Sequence, residues 1–209
     1  MTKAPIIHEP DFLTSQYATA AFERLWGELD WKRVTRRREY WTNIHERSYS
    51  YGKPEYARVY EPQPNHPVID EIKEMLLALH DVYYEGCFLN GYESGRDALE
   101  WHADDDLGID HSKPIAIVTL YDGPVMPATY TKMVKHPNAR YPKGRSIQFM
   151  PQGGTKADVQ TIDMAHGSLI LMKPGMQSTH FHRIPKSGDA KPRPRISLTF
   201  RGLLHADAR

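Results

Sequence analysis

The chain has 209 residues, of which 40% are hydrophobic, and a formal net charge of +1. This length fits one domain with a full-sized core, and the charge excludes a chain that binds nucleic acid as a polycation. The single cysteine, Cys87, excludes an internal disulfide framework and a cysteine-based zinc site. Neither a signal peptide nor an apolar stretch of transmembrane length is recognisable, so we expect a monomeric intracellular protein, cytoplasmic or in a eukaryote nuclear, with no membrane partner.

Two helices are predicted in the first part of the chain. One follows Ser15 as its N-cap and runs to about Gly27, and the other runs from about Pro67 to His80 with apolar residues at helical spacing. From residue 85 onward, short apolar or alternating runs are separated by turn residues: GCFLNGY, PIAIVTLY, RSIQFM, VQTIDM, HGSLILM, STHFHRI and PRISLTFRGL. Helices followed by many strands predict an α+β fold with a sandwich or open barrel. The basic segment Lys132–Arg145 is predicted to be a long, functional loop.

The segment WHADDD carries a candidate metal site. His102 and Asp104 are two residues apart, so in an extended segment their side chains point to the same side. A third ligand from a distant strand would complete the facial triad of two histidines and one carboxylate. Alone, the H-x-D pattern is a weak signal, because a polar turn is the commoner reason for it. His180 and His182 in HFHRIP both qualify as the third ligand, and either can instead be a hydrogen-bonded strand histidine.

The C-terminal run PRPRISLTFRG separates polar from apolar residues with a period of two. The polar set is Arg195, Ser197, Thr199 and Arg201, and the apolar set is Ile196, Leu198 and Phe200. The polar face is either a solvated surface or the inside of a barrel, where buried arginines need an anionic partner such as a dicarboxylate. In LNGYESG, Asn90 and Tyr92 share a face and can donate hydrogen bonds to a carboxylate, or they simply end a strand.

Together these pieces resemble the AlkB family of nucleic-acid dealkylating dioxygenases, with the duplex-DNA-acting homologues closer than the bacterial founder. The matching motifs are LNGY, WHADDD, HGSLILM, HRIP and PRISLTFRGL, in family order over roughly residues 85–204. The resemblance implies one domain of residues 1–209. It has a double-stranded β-helix (jelly-roll) core over about residues 85–204, and N-terminal helices and a nucleotide-recognition region in about residues 1–84. It also implies an iron(II)- and 2-oxoglutarate-dependent dioxygenase that uses O2 and dealkylates N-alkylated bases in DNA or RNA, as in DNA repair.

The resemblance also implies roles for individual residues. The implied iron ligands are His102, Asp104 and His182. The implied 2-oxoglutarate contacts are Asn90, Tyr92, Arg195, Ser197 and Arg201, with the far carboxylate on one of the two arginines. Asp106 matches an acidic residue that reads the damaged base, which suits the cationic bases 1-methyladenine and 3-methylcytosine. Ser197 departs from the usual asparagine, the segment Tyr121–Gln160 is more irregular than the family's strand hairpin, and the first third of the chain matches loosely.

Two further segments bear on the substrate. WKRVTRRREYW contains Arg36, Arg37 and Arg38 among aromatic residues, which suits phosphate contact and base stacking or, equally, a solvated strand. SYSYGKPEYARVYEP contains four tyrosines that stack on a flipped base or pack a sheet: Tyr49, Tyr51, Tyr56 and Tyr60. The same chemistry on a protein or small molecule is an alternative function. A second alternative, a non-enzymatic nucleic-acid-binding module, is disfavoured because the full triad and both arginines are present.

Overall fold

A computed structural model describes residues 3–34, 37–52, 57–127, 142–187 and 193–204, and the fold is given for these ranges. Arg36 and Tyr56 lie outside the described residues, as does most of the loop predicted over Lys132–Arg145. Arg145 itself is described and begins a strand, so the predicted loop ends before it.

Two α-helices are present, α1 (Ser15–Glu28) and α2 (Pro67–His80). The bounds of α2 agree with the prediction. The predicted N-cap of α1 is wrong by one residue, because Thr14 has the extended backbone of a cap and its hydroxyl accepts a hydrogen bond from the Tyr17 amide at 3.3 Å. Neither described helix has the length and apolar character needed to cross a membrane.

Thirteen β-strands are the main regular structure of the described chain. In chain order they are β1 (Ile6–Glu9), β2 (Lys32–Val34), β3 (Arg37–Asn43), β4 (Tyr49–Tyr51), β5 (Arg58–Tyr60), β6 (Gly86–Tyr92), β7 (Leu99–His102), β8 (Ile115–Tyr121), β9 (Arg145–Pro151), β10 (Gln160–Met164), β11 (Ser168–Met172), β12 (His180–Ile184) and β13 (Arg195–Arg201). The larger sheet has the order β1-β11-β8-β13-β6-β3-β2, the smaller has β10-β9-β12-β7, and β4 pairs with β5 in a hairpin. All pairs between these strands are antiparallel.

The fold class is confirmed: two antiparallel sheets form a jelly-roll core, and helices cover part of it. Every strand-like run predicted after residue 85 contains a strand. The expectation that helices come first and strands follow is wrong, because five strands precede α2. One of these, β3, joins the larger sheet beside β6, with Arg37 opposite Tyr92 and Asn43 opposite Gly86. The N-terminal third therefore supplies structural strands of the main sheet.

The two faces of the larger sheet pack against different partners. On one face, Leu198 and Phe200 of β13 and Cys87 of β6 are fully buried in a cluster that includes residues of both helices. On the other face, apolar residues of the two sheets meet, for example Ile117 of β8 and Phe149 of β9. Burying side chains of this size stabilises the fold by roughly 1.5–3 kcal/mol each. The alternation in β13 therefore turns its polar residues away from the helices and into the space between the sheets.

Candidate active site

The predicted metal ligands come together on two neighbouring strands of the smaller sheet. His102 is the last residue of β7, and His182 lies directly opposite it on β12. Asp104 follows two residues after His102, and the candidate ligand atoms of the three residues all lie within 4.8 Å of one another. His180 lies opposite Pro151 on β9 and is not part of this cluster. Strand register thus separates the two histidines that sequence spacing left equivalent.

Neighbouring groups fix the orientation of these ligands. The Nδ1 atom of His102 donates a hydrogen bond to the carbonyl of Glu100 at 2.8 Å, which leaves Nε2 to bind a metal. One oxygen of Asp104 lies 3.6 Å from that Nε2 atom, and the other accepts a hydrogen bond from Arg201 at 2.9 Å. The Asp104 amide donates to the side chain of Gln177 at 2.9 Å. The donor set is thus held before any metal binds.

Burial and charge keep the donor atoms in the protonation states that a divalent metal requires. Burial lowers the pKa of His182 to about 3, although Asp104 opposes this shift, so the imidazole is neutral near neutral pH. Burial alone would raise the pKa of Asp104, but the Arg201 guanidinium holds this pKa well below its usual range. Two imidazoles and one carboxylate are a donor set that suits iron(II) with open coordination positions.

A pocket of about 690 Å³, including its part open to solvent, begins at this triad and lies between the two sheets. Its wall on the larger sheet is formed by polar residues that share one face of β6 and β13, namely Asn90, Tyr92, Ser197, Thr199 and Arg201. Ser197 lies opposite Asn90, and Arg195 lies opposite Tyr92, in the pairing of these two strands. The predicted cosubstrate contacts therefore lie on adjacent strands along one wall.

The two arginines of β13 have different surroundings. One nitrogen of Arg201 donates to the candidate metal ligand Asp104, and its other two nitrogen atoms have no hydrogen-bond partner among the described residues. Arg195 is 1% exposed and lies with its guanidinium 4.2 Å from the centre of the Tyr92 ring. None of its three nitrogen atoms has a hydrogen-bond partner among the described residues. A buried, unpartnered guanidinium matches the far carboxylate of 2-oxoglutarate, so the residues present fit this cosubstrate.

The mouth of the pocket is lined by Tyr49 and Tyr51 of β4 and Tyr60 of β5. Asp106 fastens this hairpin to the loop that carries Asp104, because its carboxylate accepts hydrogen bonds from the Tyr49 hydroxyl and from the Gly52 amide. Burial raises the pKa of Tyr51 to about 12, and it also raises the pKa of Tyr49, so both phenols are protonated at neutral pH. The mouth is therefore aromatic, and the Asp106 carboxylate adjoins it through the hydrogen bond from Tyr49.

The described arginines of the predicted basic set face opposite sides of β3. Arg37 lines the pocket and pairs with the buried Glu39 at 2.8 Å. Arg38 points the other way, stacks 4.4 Å from the Trp26 ring centre, and pairs with Glu93 at 3.1 Å. These two arginines therefore do not form one continuous surface patch.

Sequence patterns did not reveal two polar residues that take part in the site. Gln177, which supports Asp104, lies 73 positions further along the chain. Arg145 is 5% exposed and lies near Arg195, at the start of β9. The contact of Gln177 depends on tertiary packing, so its position has no local signal. Arg145 begins a strand after a basic loop, and an arginine in that position is ordinarily predicted to lie on the surface.

Known proteins resemble this chain over most of its length. The family model of the 2OG-Fe(II) oxygenase superfamily matches residues 6–201, a range that contains all the site residues named above. Alpha-ketoglutarate-dependent dioxygenase alkB homolog 3 of Bos taurus is 27% identical over 197 residues, which cover 92% of this chain and 64% of that protein. DNA oxidative demethylase ALKBH2 of Mus musculus is 23% identical over 169 residues, which cover 78% and 64%. The chain thus spans 64% of the length of these two relatives.

Solved structures resemble the fold. The structure of OsALKBH1 aligns with a TM-score of 0.56 and 16% identity, covering 97% of this chain and 98% of that one. A Pseudomonas putida prolyl-4-hydroxylase aligns with a TM-score of 0.52 and 13% identity, covering 96% and 94%. At these identities, the solved structures show a shared fold only.

Proposed function

The chain belongs to the 2OG-Fe(II) oxygenase superfamily as an AlkB-like member, and on this premise we propose that it oxidatively dealkylates N-alkylated bases in nucleic acid. The family confirms the predicted enzyme class, an iron(II)- and 2-oxoglutarate-dependent dioxygenase, with O2 as the oxidant. The observation that carries the proposal is a pocket with the His102, Asp104 and His182 triad at its floor and tyrosines at its mouth.

The residues divide into a metal-binding and a cosubstrate-binding set. His102, Asp104 and His182 would hold iron(II). The contacts proposed for 2-oxoglutarate are Asn90, Tyr92, Arg195, Ser197 and Arg201, with Arg195 on the far carboxylate. When bound, the iron, 2-oxoglutarate and O2 supply the oxidation that hydroxylates the N-alkyl carbon and yields succinate and carbon dioxide. The bond between nitrogen and the hydroxylated carbon then breaks, which releases the carbon as an aldehyde and leaves the unmodified base.

The mouth of the pocket supports a planar, cationic substrate. Tyr49, Tyr51 and Tyr60 offer aromatic rings to a base, and Asp106 offers a negative charge near the metal ligands. The bases 1-methyladenine and 3-methylcytosine carry positive charge near neutral pH, so a carboxylate at this position favours them. A paired base must leave the duplex to enter the pocket. Arg37 in the pocket wall is the residue that we propose to contact the phosphate backbone of the strand that carries this base.

The similarity to two relatives supports the choice of nucleic acid as the substrate class. The name of one relative, DNA oxidative demethylase ALKBH2, states that it acts on DNA. The alignment with alkB homolog 3 covers a larger share of this chain, 92% against 78%. Action on DNA or RNA, a role in DNA repair, a cytoplasmic or nuclear location and a monomeric state remain predictions. The organisation as one domain of residues 1–209 is likewise our proposal, which the pairing of β3 with β6 supports.

The test is demethylation of oligonucleotides that contain 1-methyladenine or 3-methylcytosine, with iron(II), ascorbate and 2-oxoglutarate, followed by mass spectrometry. We expect methyl loss that requires 2-oxoglutarate and disappears in His182→Ala. His180→Gln is the matched control, because this histidine lies on the same strand and outside the metal cluster. Succinate formation without methyl loss would contradict the proposal that nucleobases are the substrate, and it would favour a protein or small-molecule substrate. Bound iron with neither signal would favour the non-enzymatic alternative.

A further inference from the structure

A second, smaller cavity lies behind Tyr92, which forms part of the wall of both pockets. Its volume is about 250 Å³, including its open part. Four basic residues line it: Lys143, Arg145, Arg193 and Arg195. Tyr92 therefore borders both the pocket of the candidate metal ligands and a strongly cationic cavity, and the guanidinium of Arg195 lies against its ring.

Positive charge in this chamber exceeds the negative charge that the described residues supply. Arg193 pairs with Asp122 at 2.9 Å, and both side chains are partly exposed. Arg145 donates hydrogen bonds to the carbonyl of Asp97 at 2.7 Å and to the carbonyl of Pro185 at 2.5 Å. These carbonyls satisfy its donors but carry no net charge. The Asp97 carboxylate favours the charged form of Arg145, but no ion pair joins these two side chains among the described residues, and Arg145 is only 5% exposed.

Arg145 and Arg195 are close enough to affect each other. Burial, and then the positive charge of Arg195, lower the pKa of Arg145 to about 10. Arg195 is 1% exposed, and all three of its nitrogen atoms lack a partner among the described residues. Two buried like charges repel each other unless an anion lies near both of them. Two arginines that line one cavity, one of them without a partner among the described residues, therefore favour an anion at this end of the pocket.

We propose that Arg145 is a positioning residue for the far carboxylate of the cosubstrate, acting as a fixed second charge behind Arg195. Arg195 offers its guanidinium to the carboxylate. The Arg145 guanidinium is held in place by carbonyls on two separate loops. Its positive charge therefore adds to the attraction between Arg195 and the far carboxylate. The pair selects dicarboxylic 2-oxo acids over monocarboxylic ones, and it should bind a dicarboxylate even without metal. This inference depends on family membership and is independent of which substrate is dealkylated.

The test measures binding of two ligands to the Mn(II)-loaded protein by calorimetry, without turnover. One is 2-oxoglutarate, and the other is 2-oxopentanoate, which has the same chain length but no far carboxylate. Arg145→Gln should weaken 2-oxoglutarate binding by about tenfold and 2-oxopentanoate binding by less than about twofold. Only 2-oxoglutarate has a far carboxylate that the positive charge of Arg145 attracts. Arg145→Lys restores the charge and should recover most of the affinity.

Arg183→Gln is the matched control. This arginine of β12 donates to the neutral side chain of Gln148 at 2.8 Å and stacks on Trp101, away from the cavity. Its substitution should change neither affinity. Equal weakening of both ligands in Arg145→Gln would reduce Arg145 to a scaffold residue and overturn the proposal. Unchanged binding of both ligands would overturn it as well.

A second variant tests the charge without altering Arg145, in case Arg145→Gln does not fold. Ser94 lines the same cavity, so Ser94→Asp adds a carboxylate that competes for the two arginines. It should weaken 2-oxoglutarate binding at least about fivefold relative to Ser94→Asn. Metal-free protein gives a third measurement, in which glutarate should raise Tm and neutral 1,5-pentanediol should not. Equal affinities in the two Ser94 variants, or no response to glutarate, would contradict the proposal.

Discussion

At the floor of the pocket, both histidines and Arg201 belong to hydrogen-bonded strands, and Asp104 follows one of these strands by two residues. His102 and His182 face each other across the β7–β12 pair, and Arg201 of the central strand β13 neutralises Asp104. At the mouth, β4 and β5 pair only with each other among the described strands. They are joined to the core by side chains, such as Tyr60 packed 4.8 Å from the Phe88 ring centre.

We therefore expect the strands at the floor to determine the chemistry and the hairpin at the mouth to determine which substrate binds. Changing the floor disturbs strands that also stabilise the fold, whereas changing the mouth disturbs a short hairpin with few backbone partners. We therefore expect substitutions at the floor to alter stability and metal affinity together. Substitutions at the mouth should alter the choice of substrate and leave both of these quantities nearly unchanged.

Arg201→Met should have the largest effect, because it leaves the buried Asp104 carboxylate without its counter-charge. We expect the free energy of unfolding of the metal-free protein to fall by about 3–5 kcal/mol. Mn(II) should recover part of this loss, because the metal replaces the missing positive charge. Denaturant unfolding with and without Mn(II) measures both effects. Arg183→Met is the control, and an equal loss in both metal states would mean that Arg201 acts through packing alone.

Gln177→Leu should act on the floor without removing a ligand. The Asp104 amide loses its acceptor, so the carboxylate is held less firmly, and metal affinity should fall by about 10–100-fold. Titration calorimetry with Mn(II) measures this change. Ser178→Ala, at the exposed neighbouring position, should bind Mn(II) normally. Unchanged affinity in Gln177→Leu would show that the loop holds Asp104 in place without this hydrogen bond.

Asp106→Asn tests the mouth. The amide retains an acceptor for the hairpin but loses the negative charge. We expect kcat/KM for the cationic base 3-methylcytosine to fall by about tenfold, and that for the neutral base 3-methylthymine by less than about twofold. Mn(II) affinity should not change. Asp105→Asn, an exposed neighbour, is the matched control. Parallel losses on both bases would assign Asp106 to holding the hairpin and not to sensing charge.

Arg38→Gln should have the smallest effect. Its ion pair with Glu93 is partly exposed, with side-chain exposures of 28% and 42%, so the stability change should stay below about 1 kcal/mol. Because Arg38 already pairs with the Glu93 carboxylate, which it shares with Arg33, the salt dependence of single-stranded DNA binding should not change. A slope reduced by about 0.7 would mean that Arg38 contacts a phosphate. Arg37→Gln, in the pocket wall, is the informative comparison.

Local patterns in the sequence predicted the elements that alternate cleanly. The period of two in β13 separated the residues facing the helices from those facing the pocket, and helical spacing predicted α2. The choice between His180 and His182 required the register of β12 against β7, which residues about 80 positions apart determine and spacing within one strand cannot. The family resemblance favoured His182, which is the histidine that lies in the cluster that could hold a metal.

Strand β3 had no such pattern because its charged residues are partly or fully buried. Glu39 is 2% exposed, and its carboxylate pairs with Arg37 at 2.8 Å and with Arg58 of β5 at 3.0 Å. A run of charges normally indicates a solvated segment, and only the tertiary pairing of these side chains makes burial possible. The same cause explains why the tyrosine-rich segment could be identified in the sequence but its attachment to Asp106 could not.

The placement of Cys87 affects the chemical durability of the protein. An enzyme that combines iron(II) with O2 releases oxidants whenever turnover fails, and thiolates are their usual protein targets. Cys87 lies on β6 next to Phe88 of the pocket wall, but its side chain is fully buried on the helix face of the sheet. Burial raises its pKa to about 12, so almost no thiolate exists at neutral pH. The chain's one thiol is thereby shielded from its own reaction by the thickness of a single sheet.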